Sequence, residues 1–376
     1  TKVATVSFDE ILNKIPLESF NNLTEKTIIV PHGKSVLQVE TTLDLDLQNY
    51  LIGQLDTRNA KFIAIVVIEP VSGRVLAMVG FDKYQPNNNP CLDSDIPAAS
   101  VFKIVTAAGA VETCGLDKNT LLKYNGKKYT LYKSQLKDIT NKWTRKVTLE
   151  KSFAESINPV FGKLGAHCLK ESGLKTYAEA FGFNTDLAFD LDLEPSRFDV
   201  SDDPYNWSEI ASGFNRQTTL SPLHSTIMAS IIVNDGKLVS PFLIERIKDS
   251  SNRIIFEKHQ DESPLRILHP DTTNIVFDLM KATVKSGTGK KAFRGRKKDQ
   301  TLNRLEIGGK TGSIDNADHS ARIDWFTGFA QEIDGEEKLA LGVVVAHEKF
   351  IGVRANRYAR KAISFYFNKI FYNEAK

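Results

Sequence analysis

Pro97-Ala98-Ala99-Ser100-Val101-Phe102-Lys103-Ile104-Val105-Thr106-Ala107-Ala108-Gly109-Ala110-Val111 is an almost wholly apolar run carrying one serine and, three positions on, one lysine. Val101, Ile104, Val105, Ala108 and Val111 recur at helical spacing. Pro97 stands where a helix start tolerates proline and Cys114-Gly115 supplies a stop, so the run is expected to form a buried helix. Residues three apart on a helix are neighbours, so the Lys103 amine can reach the Ser100 hydroxyl, and apolar surroundings disfavour its charged form. A neutral amine beside a hydroxyl is a nucleophile with its base. The plainer reading of such a lysine is a stem that carries its head out to water.

Two later motifs bear on the choice. Ser156-Ile157-Asn158 falls where a helical run from Leu149 meets Pro159, and Asn158 could simply cap the next helix. An exposed break between helices would instead let Ser156 relay a proton between Lys103 and a leaving amine. Asn158 would then donate to a substrate carbonyl and hold Lys103 by accepting from it. Gly308-Gly309-Lys310-Thr311-Gly312-Ser313 places three glycines around a strand end, which reads as a bulge or as a place where a substrate peptide approaches the sheet edge. Lys310 would supply exposed positive charge, Thr311 and Ser313 would bond a carboxylate or carbonyl, and the backbone N–H groups of Ser100 and Ser313 would form an oxyanion hole.

The order Ser-x-x-Lys, Ser-x-Asn, Lys-Thr-Gly resembles that of class A β-lactamases and penicillin-binding proteins, a known signature rather than a deduction from spacing. Over roughly residues 40 to 370 the chain looks like the transpeptidase domain of penicillin-binding proteins. Supporting landmarks are Thr41-Thr42-Leu43-Asp44 with Leu47-Gln48, the Gly213 to Pro222 run, Asn234-Asp235-Gly236, and Ser286-Gly287-Thr288-Gly289. The resemblance implies catalytic Ser100, Lys103, Ser156, Asn158 and Lys310, substrate-binding Thr311, Gly312 and Ser313, and no metal or cofactor. It implies a peptidoglycan D,D-transpeptidase that acylates its serine with the penultimate D-Ala of a stem peptide, releases the terminal D-Ala and passes the acyl group to an amine. β-Lactams would trap the serine. The implied partners are D-Ala-D-Ala stem peptides and the cell-wall synthesis machinery. The implied place is the periplasmic or extracytoplasmic face of a bacterial membrane, with an anchor in a segment absent from this chain. Lys-Thr-Gly-Ser stands where Lys-Thr-Gly-Thr is usual and keeps the hydroxyl; Gly213-Phe214-Asn215-Arg216-Gln217 departs from a small, glycine-rich run. No glycosyltransferase signature precedes the domain, which fits a lone module or a fragment.

The competing readings are a D,D-carboxypeptidase or serine β-lactamase, which send the acyl group to water, and a β-lactam sensor or a scaffold without turnover. A class A β-lactamase deacylates through a glutamate after the second motif. Glu194 in Leu193-Glu194-Pro195 is the one to watch, although Asp190, Asp192, Asp199, Asp202 and Asp203 crowd the same segment.

Composition sets the frame. The chain has 376 residues, with 49 Lys and Arg against 46 Asp and Glu, a net charge of +3 that leaves no nucleic-acid footprint. No apolar run reaches a membrane span, and the start at Thr1 fits a trimmed ectodomain or a processed product. Cys91, Cys114 and Cys168 lack metal-ligand spacing, and the default reading is three small buried or half-buried hydrophobes. Cys114 and Cys168 each follow a motif serine by 12 to 14 residues on a later helix, which would allow one bridge.

Residues 1–40 read as a loosely structured lead-in or linker and 41–376 as the transpeptidase domain. Its sheet part is expected at about 41–96 plus 304–376, with an all-helical subdomain at about 97–303. Strands are expected at 62–68 and 74–79 as a hairpin, and at 302–311, 322–330 and 339–347, with a closing helix over 357–372. Asp44 or Asp46 would cap a helix carrying Leu47, Tyr50, Leu51 and Leu55, and Ser221 one that buries His224. From Lys290 to Lys298 six of nine residues are basic, a solvated loop. The fold class that follows is α/β (α+β): one mainly antiparallel five-stranded sheet from the two ends of the chain, flanked by helices, with a helical insertion, as in serine β-lactamases and penicillin-binding proteins.

Overall fold

The computed structural model describes residues 11–373 except 13, 14, 16, 34, 260–263 and 317. Its centre is a five-stranded antiparallel sheet in the spatial order Leu305–Asp315, Arg322–Glu332, Lys338–His347, Ala60–Ile68, Val75–Asp82. The two ends of the chain meet where Lys338–His347 pairs with Ala60–Ile68, Val344 opposite Ala64. The pleat sorts the side chains of Ala60–Ile68. Ile63, Ile65 and Val67 face Leu47, Leu51, Tyr358 and Ile363 of the helices Leu45–Gly53 and Ala355–Asn373. Ala64, Val66 and Ile68 join Ile104, Val105, Ile227 and Ile231 of the helices Lys103–Cys114 and Pro222–Val233. Both faces are covered, which is why the strand reads as a continuous apolar run. Asp44 caps the first helix by accepting from the N–H groups of Asp46 and Leu47. Ser221 caps Pro222–Val233, where His224 is fully buried, bonded to the Phe181 carbonyl and pushed down to about 4 by desolvation.

Two expectations need correction. The stretch 97–303 is not all-helical: Leu121–Tyr124 pairs with Arg145–Thr148, and Lys237–Leu238 with Leu265–Arg266. Nor is all of 1–40 a loose lead-in. Thr27–His32 and Ser35–Thr41 form the first half of a second sheet completed by Ile244–Lys248 and Ile254–Glu257, while residues 1–10 lie outside the described residues. These strands are short and half-polar; Thr27–His32 and Ser35–Thr41 pair locally, His32 opposite Ser35, but their sheet is completed from far along the chain, Glu40 opposite Arg246, and local pattern did not declare them.

The cysteines correct a third. Cys114, at the end of the Ser100 helix, is disulfide-bonded to Cys168 in the π-helical turn Leu164–Leu169, and only Cys91 is buried as a free thiol, its pKa pushed up to about 12 by desolvation. The bridge closes a loop 54 residues long that contains the Ser156 motif. Chain entropy alone assigns such a loop about 4 kcal/mol, so denaturant unfolding with and without reductant is expected to differ by an amount approaching that value. Equal midpoints would show that the bridge contributes nothing.

Candidate active site

Ser100 lies in the 3₁₀ turn Ala99–Phe102 that runs straight into Lys103–Cys114. Ala99 has φ +48°, a left-handed conformation that costs an L-residue about 1–2 kcal/mol. Two contacts hold it there. Gly312 of the edge strand lies against the turn, since a Cβ on it would stand 3.3 Å from Ala99 Cβ. Gly213, at φ +63°, comes so close that a Cβ on it would sit 1.8 Å from the Ala99 carbonyl oxygen. Trp325 Nε1 donates to the Pro97 carbonyl at 2.9 Å and pins the approach to the turn.

Lys103 is wholly buried. Its Nζ donates to Ser100 Oγ at 2.8 Å, to Asn158 Oδ1 at 2.8 Å and, very closely, to the Ser212 carbonyl. Burial holds this amine well below the usual lysine range, and the charge of Lys310 pushes the same way. The neutral form has two N–H bonds and one lone pair. An amide oxygen and a backbone carbonyl can only accept, so they take both hydrogens and the lone pair is left for the Ser100 hydroxyl. Asn158 is itself fixed: its Nδ2 donates to the Tyr129 carbonyl at 3.2 Å, which turns Oδ1 toward Lys103. It stands within the first turn of Asn158–Lys163 and makes no cap, so the simple capping reading does not hold.

Lys310 differs from expectation. It is wholly buried rather than exposed, donates to Ser156 Oγ at 3.0 Å and to the Thr311 carbonyl at 2.8 Å, and desolvation brings its pKa down to about 7. Ser156, at φ +55°, is thus hydrogen-bonded to Lys310 and not to Lys103. Thr311 Oγ1 shares a hydrogen bond of 2.5 Å with Thr288 Oγ1, and Ser313 Oγ accepts from Arg322 Nε at 3.0 Å. Gly308 and Gly309 also have another reason than the one expected: the Phe329 and Phe326 rings of the neighbouring strand lie over them, leaving no room for a side chain.

Ser100, Ser156, Asn158, Thr311, Gly312 and Ser313 line one open cleft of about 1200 Å³. Its acidic lining residues are already engaged, Asp315 with Arg322, and Asp324 with Arg354 and the Ala355 N–H. Glu194 is exposed and does not line it. Sequence reasoning missed the Ser212 carbonyl and Tyr129, and gave Gly213 and Thr288 no role beyond that of landmarks. Gly213 left a trace, as a glycine ending the helix Pro204–Ser212. Tyr129 left none.

A family model described as the penicillin binding protein transpeptidase domain matches residues 63–371. The peptidoglycan D,D-transpeptidase PbpA of Mycolicibacterium smegmatis is 26% identical over 75% of this chain and 61% of its own length. Stage V sporulation protein D of Bacillus subtilis is 24% identical over 74% of this chain and 44% of its own. The chain therefore spans about half the length of the curated relatives it matches. Among solved structures, PBPA from Mycobacterium tuberculosis superposes with a TM-score of 0.71 at 22% identity, covering 88% of this chain and 82% of that one. The imipenem acyl-enzyme complex of penicillin-binding protein A from the same organism gives 0.70 at 21%, covering 86% and 78%.

Proposed function

The chain belongs to the penicillin-binding protein transpeptidase domain family, and from that premise we propose that it is a serine D,D-transpeptidase cross-linking peptidoglycan stem peptides through an acyl-enzyme on Ser100. The observation that carries the reading is the buried Lys103 amine, whose two fixed acceptors leave its lone pair to Ser100 Oγ.

In acylation Ser100 Oγ attacks the carbonyl of the penultimate D-Ala and its proton passes to Lys103 Nζ. Collapse of the tetrahedral intermediate breaks the peptide bond. The departing D-Ala nitrogen takes a proton from Ser156 Oγ, which Lys310 replaces, since an amine poised near pH 7 can give and recover a proton at neutrality. Lys103 is then charged and Lys310 neutral. In the second half the acceptor amine attacks the ester, its proton returns through Ser156 to Lys310, and Lys103 gives its proton back to Ser100 Oγ. The two lysines thus exchange roles across the cycle and both protons balance. Thr311 and Ser313 sit on the cleft wall to bond the substrate backbone or its carboxylate. β-Lactams are the corresponding inhibitors, a reading supported by the acyl-enzyme structure of the M. tuberculosis relative. The Cys114–Cys168 bridge and the cell-wall enzymes among the relatives support action outside the cytoplasm.

Peptide mapping after exposure to a labelled penicillin is expected to place the adduct on Ser100; an adduct on Ser156 or Ser313 contradicts the reading. The adduct is expected to persist for many minutes with its lifetime unchanged in Glu194→Gln, because Glu194 lies outside the cleft. Rapid turnover of a chromogenic β-lactam, lost in that variant, would make the protein a β-lactamase.

A further inference from the structure

The hairpin Leu121–Tyr124 and Arg145–Thr148 carries an excursion over 125–144, from which the catalytic site uses only backbone carbonyls that bond Asn158. Between Leu121 and Thr148 there are eight Lys or Arg and one acid, Asp138. Among the described residues only Lys128 of these has a close carboxylate partner, Glu155. Large apolar side chains are exposed among these cations: Tyr129 at 62%, Tyr132 at 61%, Ile139 at 52% and Trp143 at 72%, with the Lys142 ammonium 5.1 Å from the Trp143 ring centroid.

The excursion is not slack chain. Gln135 is buried, its Nε2 donating to the Asn125 carbonyl and its Oε1 accepting from the Tyr132 N–H, both at 2.9 Å. Tyr205 Oη donates to the Leu131 carbonyl at 2.9 Å, and Asn125 Nδ2 to the Ile139 carbonyl at 2.9 Å. A scaffold this well bonded holds its rings and cations outward instead of folding them in. It also adjoins the reaction centre. The Asn158 N–H donates to the Lys128 carbonyl at 2.7 Å, Asn158 Nδ2 donates to the Tyr129 carbonyl, and Tyr129 lines the cleft beside Ser156.

We propose that this basic, aromatic-studded excursion is a binding surface for the carboxylate-bearing glycan–peptide strand that presents the reacting peptide, which rests on the transpeptidase reading above. Charge complementarity selects the occupant: uncompensated cations meet side-chain carboxylates, and Tyr132 and Trp143 offer amphipathic faces to sugar rings. Continuity with the cleft favours the substrate polymer over a membrane surface, because Tyr129 of the excursion lines the same cleft as Ser100.

The experiment compares wild type with a Lys137→Glu, Lys142→Glu, Trp143→Ala variant, three exposed positions outside the catalytic machinery. Cosedimentation with purified peptidoglycan is expected to weaken by about tenfold or more in the variant, and wild-type binding to fall as salt rises. Acylation of Ser100 by a labelled penicillin is expected to be unchanged, because none of the three positions lines the cleft, which also shows that the variant is folded. Equal peptidoglycan binding in both proteins overturns the proposal, as does wild-type binding to anionic phospholipid vesicles in preference to peptidoglycan. Peptidoglycan binding that depends on these residues in a wild type that penicillin fails to acylate supports this surface and overturns the transpeptidase reading.

Discussion

Lys103→Met is expected to slow acylation of Ser100 by a labelled penicillin by roughly 10²–10⁴-fold, the range for loss of a general base, without lowering the unfolding midpoint. The two halves of this expectation have one cause. Lys103 is wholly buried, desolvation disfavours its charge, and Lys310 repels it. The unfolded chain hydrates the same ammonium freely. The lysine is therefore a stability cost retained for chemistry, and an apolar side chain of similar length removes that cost. Asn158 Oδ1 and the Ser212 carbonyl lose a donor, which offsets part of the gain. A variant that acylates normally would show that Lys103 is not the base.

Gly213→Ala is expected to abolish acylation to a similar degree and to destabilise the fold by more than about 1–2 kcal/mol. The added Cβ would fall 1.8 Å from the Ala99 carbonyl oxygen, on a backbone already at φ +63°. Either Ala99 leaves its own left-handed conformation and carries Ser100 with it, or the Ser212 carbonyl moves and releases Lys103. Gly115→Ala is the matched control. Gly115 has φ +62° but nothing within 4 Å of the built Cβ, so it should lose only the backbone term of about 1 kcal/mol and acylate normally. Equal behaviour of the two variants, by urea midpoint and acylation rate, would show that the close approach at Gly213 is not required.

The parts legible in the sequence are those where local pattern and tertiary demand agree. Ala60–Ile68 and Lys338–His347 are rich in β-branched residues and buried on both faces, so composition alone declared them strands. The Ser100 helix was equally plain, and the resemblance supplied the order of the three motifs. What stayed hidden depended on distant partners. Ser35–Thr41 pairs with its neighbour Thr27–His32, but the sheet they form is completed only by Ile244–Lys248, far along the chain. The burial of Lys310 could not be read from its neighbours Gly309 and Thr311, because the Phe153 ring near its amine and the Ser156 hydroxyl it bonds come from another part of the chain. The same holds for Tyr129, whose backbone carbonyl fixes Asn158 whatever its side chain.

The most direct test of the account is the rate of Ser100 acylation by a labelled penicillin as a function of pH in the wild-type protein. Lys103 acts only when neutral, and both its burial and the charge of Lys310 favour the neutral form. The rate is therefore expected to rise with pH as Lys103 loses its proton, well below about pH 10.4, the ordinary value of a lysine, and to fall again above about pH 7 as Lys310 loses the proton it gives to the leaving nitrogen. A rate still climbing about tenfold per pH unit between pH 9 and 10 would mean an amine with an ordinary lysine pKa, and would contradict the assignment of Lys103 as a neutral base.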